Sequence, residues 1–213
     1  MNEEEEEALE LENSNPQKAN YSDASFWDDY YNKNTEQFDW LQSWPNFKKS
    51  IPSGITLAGH AINVGCGNSP MSEKLLESGF VRVLNIDFSQ VVINQMKNKY
   101  ENEPKLEWEV GNCTKMDVKD LSFDCIFDKS TLDCLACSDN ADTQINSYLN
   151  EVYRILKSNG YFILISFAPE ITRLRYFKAV SQKLKVISVI QVPKPELANS
   201  FHYIYILTKI NEL

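Results

Sequence analysis

Residues 60–90 constrain the fold of this chain more than any other stretch. They run from His-Ala-Ile-Asn-Val-Gly-Cys-Gly-Asn-Ser-Pro to Leu-Asn-Ile-Asp-Phe-Ser. Ala61, Ile62 and Val64 form a short apolar run suited to a strand buried on both faces. Gly65 and Gly67 let the backbone turn sharply and approach a ligand, since neither carries a Cβ. Pro70 suits a first helical position, where its missing N–H costs nothing, and Leu75 and Leu76 give that helix an apolar side. Val81 to Ile86 read as the next strand, and Asp87 ends it, where an acid can accept hydrogen bonds from the hydroxyls of a ribose.

Three readings compete for this stretch. A dinucleotide site requires Gly-x-Gly-x-x-Gly with the pyrophosphate on the helix N-terminus. Pro70 occupies the third glycine position and breaks that fingerprint. A site for S-adenosylmethionine needs no phosphate cradle. It needs an open glycine turn for the methionine part and an acid for the ribose, which Gly65-Cys66-Gly67 and Asp87 supply. The plainest reading is a glycine turn that only connects strand to helix.

The chain has 213 residues, enough for one α/β domain with a sizeable core. No apolar run approaches the ~20 residues of a membrane helix, so no membrane partner is expected. The acidic N-terminus lacks an apolar or Arg-rich address segment. Five cysteines, an odd number in mostly apolar contexts, suit a reducing compartment, and a cytoplasmic location is expected. Net charge is −9, of which residues 1–20 carry −6 through seven Glu and one Lys. That tail is expected to be disordered, because like charges repel and it has little apolar material to bury. The mildly acidic remainder does not suit nucleic acid, which selects a basic face. A basic protein partner would suit it, or the charge serves solubility alone.

Residues 21–54 form an aromatic leader that holds Tyr21, Phe26, Trp27, Tyr30, Tyr31, Phe38, Trp40, Trp44 and Phe47. Leu41, Trp44 and Phe47 recur at helical spacing and predict an amphipathic helix laid on the domain. The earlier rings suit a flap that closes over a cofactor and excludes water. Ile51-Pro52-Ser53-Gly54 ends the segment.

After Asp87, Ser89 is expected to cap a helix with Val92, Ile93, Met96 and Tyr100 inward. Leu106, Trp108 and Val110 alternate as a third strand, and Gly111-Asn112 follows at the crevice end. There Asn112 either meets an adenine edge or makes an ordinary turn. Phe123 to Phe127 predict a fourth strand. Asp128 and Lys129 then stand at the carboxyl edge of the sheet, as acceptor-side candidates or paired only with each other. A helix over 141–158, a strand over 161–167 and a helix over 170–180 follow. Strands 185–192 and 201–208 have no helix between them and predict an antiparallel hairpin. The alternation predicts a doubly wound, mostly parallel sheet with helices on both faces.

Other chemistries lack their residues. Cys134-Leu-Ala-Cys137 has no second pair of ligands at zinc spacing, so no metal is expected. His60 and His202 are the only histidines, and no Ser-His-Asp set, phosphate loop or His-Glu-x-x-His is present.

Val64-Gly65-Cys66-Gly67-Asn68-Ser69, Asn85-Ile86-Asp87-Phe88-Ser89 and Phe123-Asp124 through Asp128-Lys129-Ser130-Thr131-Leu132-Asp133 resemble class I, seven-stranded, S-adenosylmethionine-dependent methyltransferases. The Gly-Cys-Gly-Asn-Ser turn, the Asp-Lys-x-Thr-Leu-Asp block, Phe26-Trp27-Asp28 and Phe38-Asp39-Trp40 are similar to the eukaryotic methyltransferase-like group that modifies lysines of translation elongation factor 1-alpha. The resemblance covers about residues 21–208 and implies a methyltransferase domain over 21–213. It implies a seven-stranded, Rossmann-like sheet with S-adenosylmethionine as cofactor. Trp27, Tyr31 and Trp40 would contact the cofactor from the leader. Gly65 and Gly67 would flank its methionine part, Asp87 would hold the ribose, and Phe88 would lie on the adenine. Gly111 and Asn112 would meet the base edge, and Lys129 would touch the cofactor or shape the acceptor mouth. The sequence departs from the group at Ser130, where glycine is usual, and at Asn112, where an acid is common. No Pro-Pro-Tyr or Pro-Pro-Phe follows the fourth strand, as methylation of adenine or glutamine amino groups usually shows.

The resemblance implies methyl transfer to a lysine of elongation factor 1-alpha. Lysine titrates near ~10.4 and must lose a proton before attack, and an apolar aromatic mouth favours that loss. No residue stands out as a general base. A small-molecule or RNA-end methyltransferase, and a non-catalytic methyltransferase-like binding subunit, remain as alternatives.

Overall fold

The computed structural model describes residues 21–210 except 196 and 198. The expectation of a disordered tail over residues 1–20 falls outside them. Two helices, α1 (Ala24–Lys33) and α2 (Trp44–Lys48), precede the sheet. Then come β1 (Gly59–Val64), α3 (Met71–Glu77), β2 (Phe80–Asp87), α4 (Gln90–Lys99), β3 (Leu106–Val110) and β4 (Phe123–Lys129). The chain continues through α5 (Thr131–Ala136), α6 (Ala141–Ile155), β5 (Leu156–Ser166), α7 (Glu170–Ala179), β6 (Leu184–Pro193) and β7 (Phe201–Lys209). The strands form a seven-stranded sheet in the order β3-β2-β1-β4-β5-β7-β6. The first five run parallel, and β7 lies antiparallel to both β5 and β6. This is the mostly parallel sheet with a C-terminal hairpin that the alternation predicts, with β7 inserted between β5 and β6.

Two-residue alternation along each strand divides the core between the faces. Ile62 and Val64, Ile126, and Phe162 and Leu164 pack against α5, α6 and α7. Ala61, Cys125 and Phe127, and Ile163 and Ile165 pack on the other face against α3, α4 and the leader. Trp44 and Phe47 belong to this second core and are fully buried, with the Trp44 ring edge-on to Phe127 at 5.5 Å. The leader is therefore part of the fold rather than an appendage.

Local differences from the sequence reading have identifiable causes. Leu41 adopts a left-handed φ of 61°, so the helix of the Leu41-Trp44-Phe47 spacing begins only at Trp44. The helix α1 arises where Asp23 caps it, accepting from the Ser25 amide at 2.9 Å. Pro70 stands at the N-cap of α3, not inside it. The helix expected over 141–158 stops at Ile155, because Leu156 turns extended and pairs with Phe123. Ser89 caps α4 as expected, accepting from the Val92 amide.

Candidate functional site

The sheet order reverses direction beside β1, so the carboxyl ends of β1 and β4 open the crevice where ligands sit in such folds. The glycine turn leaves β1 there. Gly65 and Gly67 have φ of 61° and 51°, conformations that L side chains rarely adopt. A Cβ on Gly65 would lie 2.0 Å from Thr131 Oγ1, whose hydroxyl donates to the Val64 carbonyl. A Cβ on Gly67 would lie 2.6 Å from the Tyr31 hydroxyl. Both glycines are thus required by tight packing from two directions, the α5 start below and the leader above.

Asp87 ends β2 with its carboxylate buried beside this turn. It accepts from the amides of Gly67 and Ser89, each at 3.0 Å. Burial dominates over these bonds and pushes its carboxyl up to about 6. Half-buried Phe88 follows it, and the Gly111 amide donates to the Asp87 carbonyl at 2.9 Å. Asn112 is exposed, and its side-chain oxygen accepts from the amide and hydroxyl of Thr114. That is an Asx-type turn, the plainer of the two sequence readings.

The leader roofs the turn. Trp27 stacks on Tyr31 at 5.8 Å and meets Trp40 edge-on at 6.4 Å. Tyr31 is buried, and burial with the nearby Asp87 carboxylate pushes its hydroxyl above its ordinary value. Trp40 stays 41% exposed, so this end of the ring cluster opens to the surface. Asp28, Asp39, Gln42, Asn68 and Gln95, to which the sequence alone assigns no role, fasten the roof. Asp28 accepts from the Ser89 hydroxyl and the Val91 amide. Asn68 donates to the carbonyls of Asn34 and Glu36, and Gln95 donates to the Tyr31 carbonyl. Gln42 donates to the Pro193 carbonyl and meets His202 Nδ1 at 3.2 Å. Asp39 accepts from both Ser69 Oγ and Lys129 Nζ. A signal for two of these was present: Phe26-Trp27-Asp28 and Phe38-Asp39-Trp40 each set an acid among rings in a segment destined to pack.

The two acceptor-side candidates make their contacts within the fold. Asp128 is fully buried, so it presents no face to an acceptor. Its carboxylate accepts from the amides of Thr131 and Leu132 and from the Tyr148 hydroxyl. It caps α5, and burial pushes it up to about 7. Lys129 pairs with Asp39 rather than with Asp128. Burial pulls its amine down, and the Asp39 carboxylate opposes that shift. Asp133, the last residue of this block, forms a buried ion pair with Arg173 and also holds Ser166 Oγ and the Phe167 amide. Two cavities, of about 290 Å³ beside Leu174, Phe177 and Leu184 and about 230 Å³ beside His60, Arg82 and Glu107, lie away from the glycine turn.

This donor set fits S-adenosylmethionine. A buried carboxylate suits a ribose diol, a turn of two positive-φ glycines presents backbone with no side chain in the way, and the ring cluster suits a sulfonium cation. Lys129, the cation beside the turn, is committed to Asp39, which disfavours a phosphate-bearing cofactor.

Comparison with known proteins agrees. Residues 62–164 match the methyltransferase domain family. EEF1A lysine methyltransferase 4 of Mus musculus is 28% identical over 167 residues, 74% of this chain and 66% of that protein. The eEF1A lysine and N-terminal methyltransferase of Xenopus laevis is 26% identical over 203 residues, 91% of this chain but 29% of that protein. This chain therefore spans less than two thirds of either relative. A phosphoethanolamine N-methyltransferase of Haemonchus contortus, solved with phosphoethanolamine and S-adenosylhomocysteine, superposes with a TM-score of 0.71 at 15% identity. The match covers 91% of this chain and 50% of that one, and it shows the shared fold.

Proposed function

We propose, from the premise that this chain is a class I S-adenosylmethionine-dependent methyltransferase, that its acceptor is a protein lysine and its substrate translation elongation factor 1-alpha. The observation that carries this reading is the match of 74% of the chain to a relative named for that activity. The aromatic leader packed beside the glycine turn supports it. The reading includes a cytoplasmic location, a methyltransferase domain that extends through the leader, and no role for nucleic acid or membrane.

In this reading Asp87 holds the ribose, Gly65 and Gly67 admit the methionine part, and Trp27, Tyr31, Trp40 and Phe88 supply ring faces. Gly111 and Asn112 border the base, and Lys129 contributes by holding the leader. When bound, the cofactor supplies a methyl group that is already electrophilic, because its sulfur is positively charged. The chain must then align an amine, exclude water and favour loss of the amine's proton. Ring faces at Trp27 and Trp40 attract the incoming ammonium, and their low polarity shifts its equilibrium toward the neutral amine. Asp128 takes no part in that proton transfer, being sealed against α5.

The test incubates the purified chain and methyl-labelled S-adenosylmethionine with elongation factor 1-alpha, and in parallel with whole-cell extract. Label on a lysine of the factor is the expected result. Label on another protein keeps the reaction and replaces the substrate. Label only in small molecules or RNA overturns the protein-lysine reading.

A further inference from the structure

Lys129 lies at the carboxyl end of β4 with its side chain 6% exposed. An ammonium has three donors, and three oxygens surround this one. They are Asp39 Oδ1, Ser69 Oγ at 3.2 Å and the Gln42 carbonyl at 3.4 Å. Two of the three belong to the leader and the third to the glycine turn. Asp39 in turn accepts from Ser69 Oγ, and Ser69 Oγ accepts from the Met71 amide at the start of α3. One carboxylate therefore joins the leader, the glycine turn and the end of β4. The neighbouring residues of Asp39 leave it exposed to rupture: Phe38 and Trp40 are 50% and 41% exposed and do not anchor it in the core. The leader is anchored in the core on one side of this point by Tyr31 and on the other by Trp44 and Phe47. Between those anchors the segment is held by polar contacts at Gln37, Asn68, Asp39 and Gln42, with Trp40 against Trp27 and Tyr30 and Leu41 packed at the edge of the core.

We infer that Asp39 is a positioning residue, whose bonds to Lys129 and Ser69 latch the leader over the glycine turn and so set how slowly the cofactor leaves. A charge pair with its lysine buried suits this task, because removing the carboxylate strands the Lys129 ammonium and the pair therefore acts as a unit. Neither residue touches the transferred methyl in this inference. It goes beyond the acceptor assignment and rests only on the cofactor site, so failure to methylate elongation factor 1-alpha leaves it standing.

The experiment compares the full chain with Asp39→Asn, Lys129→Met, the double variant and the milder Ser69→Ala. S-adenosylmethionine dissociation is followed by stopped-flow tryptophan fluorescence, and amide hydrogen exchange of residues 24–42 is measured without cofactor. Asp39→Asn is expected to speed dissociation by about tenfold or more. It should also raise exchange across the leader but not in β1 or β4. Lys129→Met should match it, and the double variant should be no worse than either single change, because both remove one shared interaction. Ser69→Ala should fall between, and it tests the latch even if a single charge removal prevents folding. Turnover of Asp39→Asn and Ser69→Ala should show a raised KM for the cofactor with kcat at saturation little changed, a split that general loss of structure would not give. Leader exchange equal to that of the unsubstituted chain, or a dissociation rate within about twofold of it, overturns the latch. So does failure of the unsubstituted chain to retain the cofactor.

Discussion

At the scale of single residues, Asp87 and Ser130 show how environment sets behaviour. Burial pushes the Asp87 carboxyl up to about 6, outweighing the amide bonds it accepts. Only the ionised form is a pure acceptor for a ribose diol. With Asp87 holding the ribose as proposed, S-adenosylmethionine affinity should fall about tenfold between pH 7 and pH 5, as the carboxylate is titrated away. Isothermal titration across that range checks this, and Asp87→Asn should bind weakly with no such slope. Ser130 holds φ at 76°, the left-handed conformation that glycine takes without strain. The departure from the glycine of the resembling family thus leaves the backbone path in place and adds strain. Ser130→Gly should stabilise the chain by about 0.5–1 kcal/mol in urea unfolding. A loss of stability would mean that the Ser130 hydroxyl's bond to Asp133 outweighs the strain.

At the scale of elements, the leader is the instructive case. Its two helices are short, and neither would persist alone in water. They form because their rings have somewhere to go: Trp44 and Phe47 into the core against Phe127, and Tyr31 over Gly67. Trp44→Ala should cost about 3–5 kcal/mol through the cavity it leaves, far more than its place in a five-residue helix suggests. Thermal unfolding measures this, and a cost below about 1 kcal/mol would make the leader an accessory rather than part of the core. The helical spacing of Leu41, Trp44 and Phe47 marked the burial correctly but not the start of the helix. Leu41 turns left-handed to bring Gln42 against Pro193 and His202.

At the scale of the whole molecule, buried carboxylates give the fold its pH dependence. Asp128 titrates near 7 when folded and near ~3.9 when unfolded, so folding favours its protonated form. Its contribution to stability is complete below pH ~4 and is lost as pH rises to about 7. The unsubstituted chain should therefore gain about 2 kcal/mol from this group at pH 5 relative to pH 8, and Asp128→Asn should remove that gain. Urea unfolding at the two pH values decides it. Equal pH slopes in the two proteins would count against the assignment. The sequence alone determined the order of the sheet-forming strands along the chain, the glycine turn, the acid at the end of β2 and the cap at Ser89. Each of these rests on neighbours within a few residues, where periodicity and backbone freedom act directly. Tertiary structure alone decided that β7 lies inside β6, that Asp128 is a cap, and that Lys129 serves the leader. Those outcomes depend on pairs such as Lys129 with Asp39, 90 residues apart. Such partners are selected by burial, which desolvates a charge and obliges it to find an opposite one wherever the fold supplies it.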